Sequence, residues 1–188
     1  MKDKRKDALI KLLKDKNEQV RKSAAEALGN LEKKPGLEKL IQIMKKGDKT
    51  ARVRATYALG KIGKPGALAP LVSALNDSEV EVRSAAVRAL GEIADSGTLS
   101  NLIEKLDDDN LTIRILTVEA LGNFPDKRVT DFLMPQLKEK NIDLLESVIG
   151  ALGKIGDNKA EKPLMVLLSH PEPRIRSRAA LALGDLEV

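Results

Sequence analysis

Arginine recurs at intervals of 31 residues along this chain, and it is the first residue type whose spacing could carry chemistry. A row of guanidinium groups could bind phosphates or carboxylates. Each arginine, however, is predicted to lie one turn into a helix, close to an acidic residue of its own or the adjacent repeat. We therefore interpret the row as a structural ladder of paired charges. Its members are Arg21, Arg52, Arg83, Arg114 and Arg176, and Leu145 interrupts it.

Other groups that could do catalysis are sparse. His170 is the only histidine, and it precedes Pro171-Glu172-Pro173 at a position where other repeats carry a polar cap, so we interpret it as a residue at a helix start. One histidine completes neither a metal site nor a nucleophile–base pair. The chain has no cysteine, which excludes disulfides and thiolate chemistry. We expect a protein that is not an enzyme and that uses no metal and no cofactor.

Basic residues are concentrated in the first third of the chain. Residues 1–67 contain 19 Lys and Arg against 8 Asp and Glu, whereas residues 68–188 contain 14 against 20. Such a region could contact a nucleic-acid backbone without sequence preference. Recognition of unstacked bases needs aromatic side chains, and this third offers only Tyr57. Nucleic-acid binding is therefore the third-ranked hypothesis and is disfavoured.

The elements that position these residues follow from the same 31-residue period. An Ala-Leu-Gly triplet marks each copy without insertion or deletion, which predicts six structural repeats stacked as a solenoid. The triplets are Ala27-Leu28-Gly29, Ala58-Leu59-Gly60, Ala89-Leu90-Gly91, Ala120-Leu121-Gly122, Ala151-Leu152-Gly153 and Ala182-Leu183-Gly184.

Within each repeat, apolar residues follow helical spacing twice, which predicts two antiparallel helices. Short acidic residues before the second helix, Asp15, Asp48, Asp77 and Asp108, are predicted to cap it. We therefore predict an all-α fold, a right-handed alpha-alpha superhelix of six 31-residue helix pairs. It forms a single domain, 1–188, with repeats of approximately 1–36, 37–67, 68–98, 99–129, 130–160 and 161–188.

The segment from Val82 to Gly91, Val-Arg-Ser-Ala-Ala-Val-Arg-Ala-Leu-Gly, carries the pattern most fully. It resembles the short HEAT-like repeat of the type first associated with phycobilisome lyase subunits. The resemblance extends over essentially the whole chain and implies an alpha solenoid. For function it implies a wide range, because such repeats occur in scaffolds, in lyase subunits and in many binding modules.

The second helices are expected to line the concave side of the solenoid, where the repeat pattern leaves several positions free. In the middle repeats these positions hold apolar residues that we expect to be exposed, rimmed by charges, as at a protein-binding site. Burial of these side chains by irregular curvature is the alternative. The predicted site residues are Arg54, Tyr57, Arg88, Leu111, Ile115, Leu116, Glu119, Ile142, Leu145 and Glu146.

The leading functional hypothesis is a non-catalytic module that binds a protein or peptide on this face. The alternative, which comes from the resemblance, is an accessory subunit of a bilin-lyase-like enzyme. No apolar run approaches the length of a membrane span, and the start of the chain is charged, so we expect a cytoplasmic protein. Because repeat six keeps the internal apolar pattern without a polar capping helix, we also expect either end-to-end self-association through it or that this chain is a segment of a longer solenoid.

Overall fold

The computed structural model describes residues 4–21, 23–24, 36–63 and 65–186. All regular structure in these ranges is helical, with no strand, which confirms the predicted all-α fold. The chain divides into two compact units, Met1–Leu40 and Ile41–Val188, and each is described by itself.

The first unit begins with helix α1 (Lys4–Leu12), and residues 18–21 and 23–24 are also helical. The turn between them is closed by side chains: Asp15 accepts a hydrogen bond from the backbone N–H of Asn17 at 2.8 Å. Asn17 in turn accepts from the N–H of Gln19 at 2.9 Å. The triplet Ala27-Leu28-Gly29 lies outside the described residues.

In the second unit, the first helix packs against the second in repeats three to six, and the second helices of repeats two to six pack side by side in succession. This is the stacking of an alpha-alpha superhelix. The helices are α2 (Leu37–Lys46), α3 (Lys49–Ile62), α4 (Pro65–Ala74), α5 (Val80–Ile93), α6 (Leu99–Ile103), α7 (Leu111–Leu121), α8 (Val129–Leu133), α9 (Ile142–Ile155), α10 (Glu161–Leu167) and α11 (Pro173–Asp185).

The first helices of repeats four to six are irregular because 3₁₀ turns replace part of the α-helix. These turns cover Ser96–Thr98, Glu104–Asp107, Met134–Lys138 and Asn158–Ala160. In repeat five the change follows from Pro135, which lacks the N–H that an α-helix needs. The second helices, which form the predicted binding face, are uninterrupted α-helices of 11 to 14 residues in repeats two to six.

Two predicted repeat boundaries need correction. The boundary before residue 68 falls inside α4, which begins at Pro65 because proline fits the first turn of a helix. The boundary before residue 130 falls inside α8, which begins at Val129. The prediction of a single domain stays a prediction.

The Ala-Leu-Gly triplet has a packing role at each of its three positions. Its leucines are the centre of the core, and Leu59, Leu90, Leu121 and Leu152 are all fully buried. Its glycines let neighbouring second helices approach closely: a Cβ atom at Gly91 would lie 2.5 Å from the Cβ of Ala120, the triplet alanine of the next repeat. The same contact recurs between Gly60 and Ala89 and between Gly153 and Ala182. The triplet is therefore an interface between repeats.

The predicted helix caps are only partly right. Asp48 caps α3 by accepting from the N–H of Ala51 at 2.8 Å. In repeats four and five the caps are instead Asn110 and Asn141, which accept from the first-turn amides of α7 and α9. Asp77 and Asp108 lie two residues before the cap position, where each accepts from the N–H two residues later. They close the turn before the helix rather than the helix itself.

Candidate functional site

The arginine ladder joins neighbouring repeats. Arg52 makes a two-pronged contact with Asp77 of the next repeat, with distances of 2.8 Å from Nε to Oδ2 and 2.9 Å from Nη2 to Oδ1. Arg83 reaches Asp108 of the next repeat through one hydrogen bond, at 3.0 Å from Nη2 to Oδ1, and its buried Nε has no hydrogen-bond partner. Most of each side chain in the two pairs is shielded from solvent. The structural interpretation of the ladder is confirmed for these pairs.

The remaining arginines of the ladder bind backbone in their own repeat. Arg21, Arg114 and Arg176 each donate from Nη1 to the carbonyl oxygen six residues earlier, at 2.8 Å in every case. Each therefore closes the turn that precedes its own helix. Ladder arginines are consequently structural rather than available for a ligand.

The electrostatics of Asp77 reflect this pairing. Burial by itself would raise the pKa of the carboxyl, but hydrogen bonds from Arg52 and from the N–H of Glu79 outweigh burial and hold the pKa below its ordinary value. Asp77 is thus a charged group at the interface between repeats two and three.

His170 also has a structural partner. Its Nδ1 accepts a hydrogen bond from the N–H of Glu172 at 3.1 Å, so the imidazole does what the carboxylates of Asp77 and Asp108 do in their repeats. This confirms the interpretation of His170 as a residue at a helix start. No group of three or more His, Cys, Asp or Glu side chains that could hold a metal ion occurs in the described ranges.

The predicted site residues all lie on the second helices, but they differ in exposure. Arg54, Tyr57, Arg88 and Glu119 are exposed, and Leu111, Ile115, Ile142 and Glu146 are partly exposed. Leu116 and Leu145 are buried, with only 6% and 3% of their surface exposed. The expectation that Leu116 contributes to an exposed apolar patch is therefore wrong.

The packing of the second helices explains this burial. α7, which carries Leu116, lies between α5 and α9, and α9, which carries Leu145, lies between α7 and α11. A side chain directed toward either neighbour is thus covered. Leu145 also stands at the ladder position, where the arginines of other repeats turn inward to their carbonyl and carboxylate partners.

A groove of about 680 Å³ runs along the second helices of repeats three to six. Five of the predicted residues line it: Arg88, Ile115, Leu116, Glu119 and Glu146. Arg54, Tyr57, Leu111, Ile142 and Leu145 are not part of its lining. The structure thus brings half of the predicted set together in one groove, whose lining mixes charged side chains with apolar ones.

Charges in the groove are unequally satisfied. Arg174 donates to Asp143 at 3.0 Å and also to Glu146, and these bonds raise the pKa of its guanidinium above the ordinary value. Within the described ranges, Arg88 and Glu119 form neither an ion pair nor a hydrogen bond through their side chains. These two exposed charges are available to a partner.

Sequence reasoning missed the far end of the groove, which is built by Asp143, Gly150, Lys154, Arg174 and Arg178. The 31-residue register of the repeats could have indicated this end of the groove. Gly150 occupies the position of Tyr57, Arg88 and Glu119 in earlier repeats, so the face loses a side chain there. Helix α9 is continuous through Gly150.

Family models match most of the chain. The model described as HEAT repeats matches residues 37–121, 68–146 and 130–187, and a second, described as HEAT repeat, matches residues 7–34. No curated protein matches. No described helix is both long enough and apolar enough to span a bilayer.

Solved structures also resemble it. The complex of CpcE and CpcF of phycocyanin lyase from Nostoc sp. PCC7120 contains a chain that is 25% identical, with a TM-score of 0.70. That match covers 81% of this chain and 65% of the other, so the chain spans somewhat less than two thirds of that relative. A designed armadillo repeat protein in complex with the peptide (KR)4 is 21% identical, with a TM-score of 0.62 over 96% of this chain and 98% of the other.

Proposed function

Because the chain belongs to the HEAT-repeat family, we propose that it is a non-catalytic interaction module that binds a protein or peptide segment on the face of its second helices, chiefly in repeats two to five. A repeat fold presents such a face continuously, so that an extended segment can lie across several repeats. The fold is compatible with many functions, and the proposal therefore rests on the site rather than on the family.

The observation that carries the proposal is the groove of about 680 Å³ with charges that the fold does not use. A site for a small apolar ligand would have a mainly hydrophobic lining with few polar groups. Here the exposed Arg88 and Glu119 stand in the lining, and the exposed Tyr57 lies on α3 of the same face. Arginine and tyrosine are residue types that contribute strongly to protein interfaces.

Affinity capture followed by mass spectrometry tests the proposal. The informative variant combines Arg88→Glu with Glu119→Lys, which reverses both unpaired groove charges and leaves the net charge unchanged. Both side chains are exposed, so the fold should tolerate the change. We expect the wild-type chain to retain specific partners that this variant loses.

The matched control combines Glu104→Lys with Lys138→Glu, an equivalent charge exchange at exposed positions of the first-helix side. It should capture the same proteins as the wild type. Identical partner sets for the groove variant and the wild type would contradict the proposal, provided that circular dichroism shows both to be folded.

The second candidate is an accessory subunit of a bilin-lyase-like enzyme. It is favoured by the similarity to a chain of the phycocyanin lyase complex at 25% identity. In that case this chain would hold a tetrapyrrole or its acceptor protein for a catalytic partner. Titration with a bilin should then change the bilin absorbance spectrum, and an unchanged spectrum at saturating protein would argue against this candidate.

A further inference from the structure

The groove contains an arginine whose position depends on a missing side chain. Arg178 on α11 crosses to the neighbouring helix α9 and covers the backbone at Gly150. Its Cζ and Nε atoms both lie 2.7 Å from the position that a Cβ atom would occupy on Gly150. Any other residue at position 150 would displace the guanidinium, so the observed position of Arg178 depends on this glycine.

Within the part of the chain that the structure describes, no acidic side chain pairs with Arg178. Its neighbour in the ladder, Arg176, is bound to backbone carbonyls, and Arg174 is bound to Asp143 and Glu146. Of the three arginines of α11, Arg178 is thus the one that offers its donors to the groove. A guanidinium presents these donors in a planar fork that matches a carboxylate.

A second cation lines the groove beside Arg178. Lys154 lies one turn after Gly150 on α9, and its ammonium donates to the neutral side chain of Asn123. Lys154, Gly150 and Arg178 line both the main groove and an adjoining hollow of about 360 Å³. Asp185 is the one acidic residue in the lining of that hollow. Two cations and one acid give the lining of the hollow an excess of positive charge.

On α7, the next second helix along the groove, the unpaired charge is negative instead of positive. Glu119 on α7 occupies the register position that Gly150 holds on α9, and it is exposed. A uniformly negative polymer would meet repulsion at this unpaired carboxylate. The groove therefore fits a segment that carries both signs of charge better than it fits a nucleic-acid backbone.

We propose that the groove binds an extended partner segment in which an acidic side chain contacts Arg178 and Lys154 and a basic side chain contacts Glu119. Packed helices lie about 8–10 Å apart, and an extended chain advances about 3.3 Å per residue. The acidic and basic residues of the segment are thus about two or three positions apart. This inference rests on the proposed protein-binding function and specifies the chemistry of the partner.

Binding of labelled peptides, measured by fluorescence anisotropy, tests the inference. The probe is a ten-residue glycine–serine peptide with one glutamate and one lysine three positions apart. Comparison peptides replace both charges by glutamine, or make both acidic. We expect the mixed-charge peptide to bind on the order of tenfold more tightly than the glutamine peptide, as charged hydrogen bonds imply.

The protein variants test whether peptide binding depends on the position of the Arg178 guanidinium over Gly150. Gly150→Ala should abolish the preference for the mixed-charge peptide by displacing the guanidinium, while alanine's higher helix propensity keeps the fold stable. Arg178→Gln should have the same effect. Gly184→Ala is the matched control, because a Cβ there meets nothing within 4 Å, and it should bind like the wild type.

The inference is overturned if the preference survives in Gly150→Ala and Arg178→Gln, if the doubly acidic peptide or a single-stranded oligonucleotide binds more tightly than the mixed-charge peptide, or if no peptide binds. These results leave the proposed function standing as long as partner capture still depends on Arg88 and Glu119. Loss of that dependence would overturn both this inference and the proposed function.

Discussion

Ala94 adopts a backbone conformation that favours glycine. Its φ is 49°, in the left-handed region, where it ends α5 with a hydrogen bond from its N–H to the carbonyl of Leu90. Gly63 and Gly156 hold the same position in repeats two and five, with φ of 58° and 70°. A side chain in this region is strained because its Cβ approaches the carbonyl oxygen.

We therefore predict that Ala94→Gly stabilises the protein by about 1 kcal/mol by removing this strain. Urea denaturation followed by circular dichroism measures the change. Gly63→Ala introduces the same strain in another repeat and should lower stability by a similar amount. A destabilised Ala94→Gly variant would contradict the assignment of this conformation.

The carboxylate of Asp77 should make stability depend on pH. Its pKa is lower in the folded chain than in the unfolded chain, so its contribution is fully present above the unfolded value of about 4 and is lost as the pH falls through the folded value. We predict that Asp77→Asn lowers the unfolding free energy by about 1–3 kcal/mol at neutral pH.

The difference between Asp77→Asn and the wild type should shrink as the pH falls below about 4, where the unfolded carboxyl begins to take up its proton, and should be lost as the pH passes the lower pKa of the folded carboxyl. Denaturation curves at a series of pH values measure this. Asp131→Asn is the control, because its pair with Lys159 is largely exposed and, screened by solvent, should contribute little to stability. A pH-independent difference would show that the charge of Asp77 is not what stabilises the interface.

At the scale of elements, the triplet glycines should be sensitive to substitution according to what they face. Gly91 is buried against Ala120, and a Cβ would lie 2.8 Å from the Ala120 Cα, so backbone would have to move. Gly184 faces open space in α11. Both stand in second helices, where alanine has the higher propensity by up to about 1 kcal/mol.

We predict that Gly91→Ala is less stable than Gly184→Ala by about 1–3 kcal/mol, the usual cost of overpacking. Thermal and urea unfolding of the two variants measure the difference directly, and helix propensity largely cancels between them. Equal stability would mean that the close approach of α5 and α7 is not required for packing.

Helix pairs, leucine core positions and the interface role of the ladder follow from the sequence, because each repeats at a fixed period. What fails are the details that depend on a single repeat. The cap Asn110 was missed because Asp108, two positions earlier in the turn, looks equally suitable, and for Asn141 no cap was predicted. The burial of Leu116 depends on how closely α5 and α9 flank it, which no periodicity encodes. The position of the Arg178 guanidinium depends on one glycine, Gly150, in the adjacent repeat.

Considered as a whole molecule, the second unit is held together by contacts between adjacent repeats rather than by one central core. The Arg52–Asp77 and Arg83–Asp108 pairs and the glycine–alanine contacts all join a repeat to the next one. Such a stack gains stability with each added interface. The face of a repeat that has no covering neighbour should therefore attract a similar surface.

Repeat six presents such a face in the structure. Leu168 on the first-helix side is 40% exposed, whereas Leu75 and Leu106, at the same register position, are 1% and 5% exposed. Gly184 meets nothing within 4 Å, whereas a Cβ on each of the triplet glycines of repeats two to five would meet an alanine of the next repeat. Val166 is more exposed still, at 75%, but its register position is exposed in repeats two to five as well. Leu168 thus belongs to the stacking surface and Val166 does not.

We predict that the chain self-associates reversibly through this stacking surface and that Leu168→Glu weakens the association by at least about tenfold, since a charge would be buried in the contact. Sedimentation velocity over a range of concentrations measures the dimerisation constant. Val166→Glu is the matched control: it places the same charge on the first-helix side of repeat six but outside the stacking surface, and it should dimerise like the wild type. A wild-type chain that stays monomeric at high concentration refutes the prediction. Equal weakening of the dimer by both variants would place the contact elsewhere on repeat six, because stacking covers the register position of Leu168 in other repeats but not that of Val166.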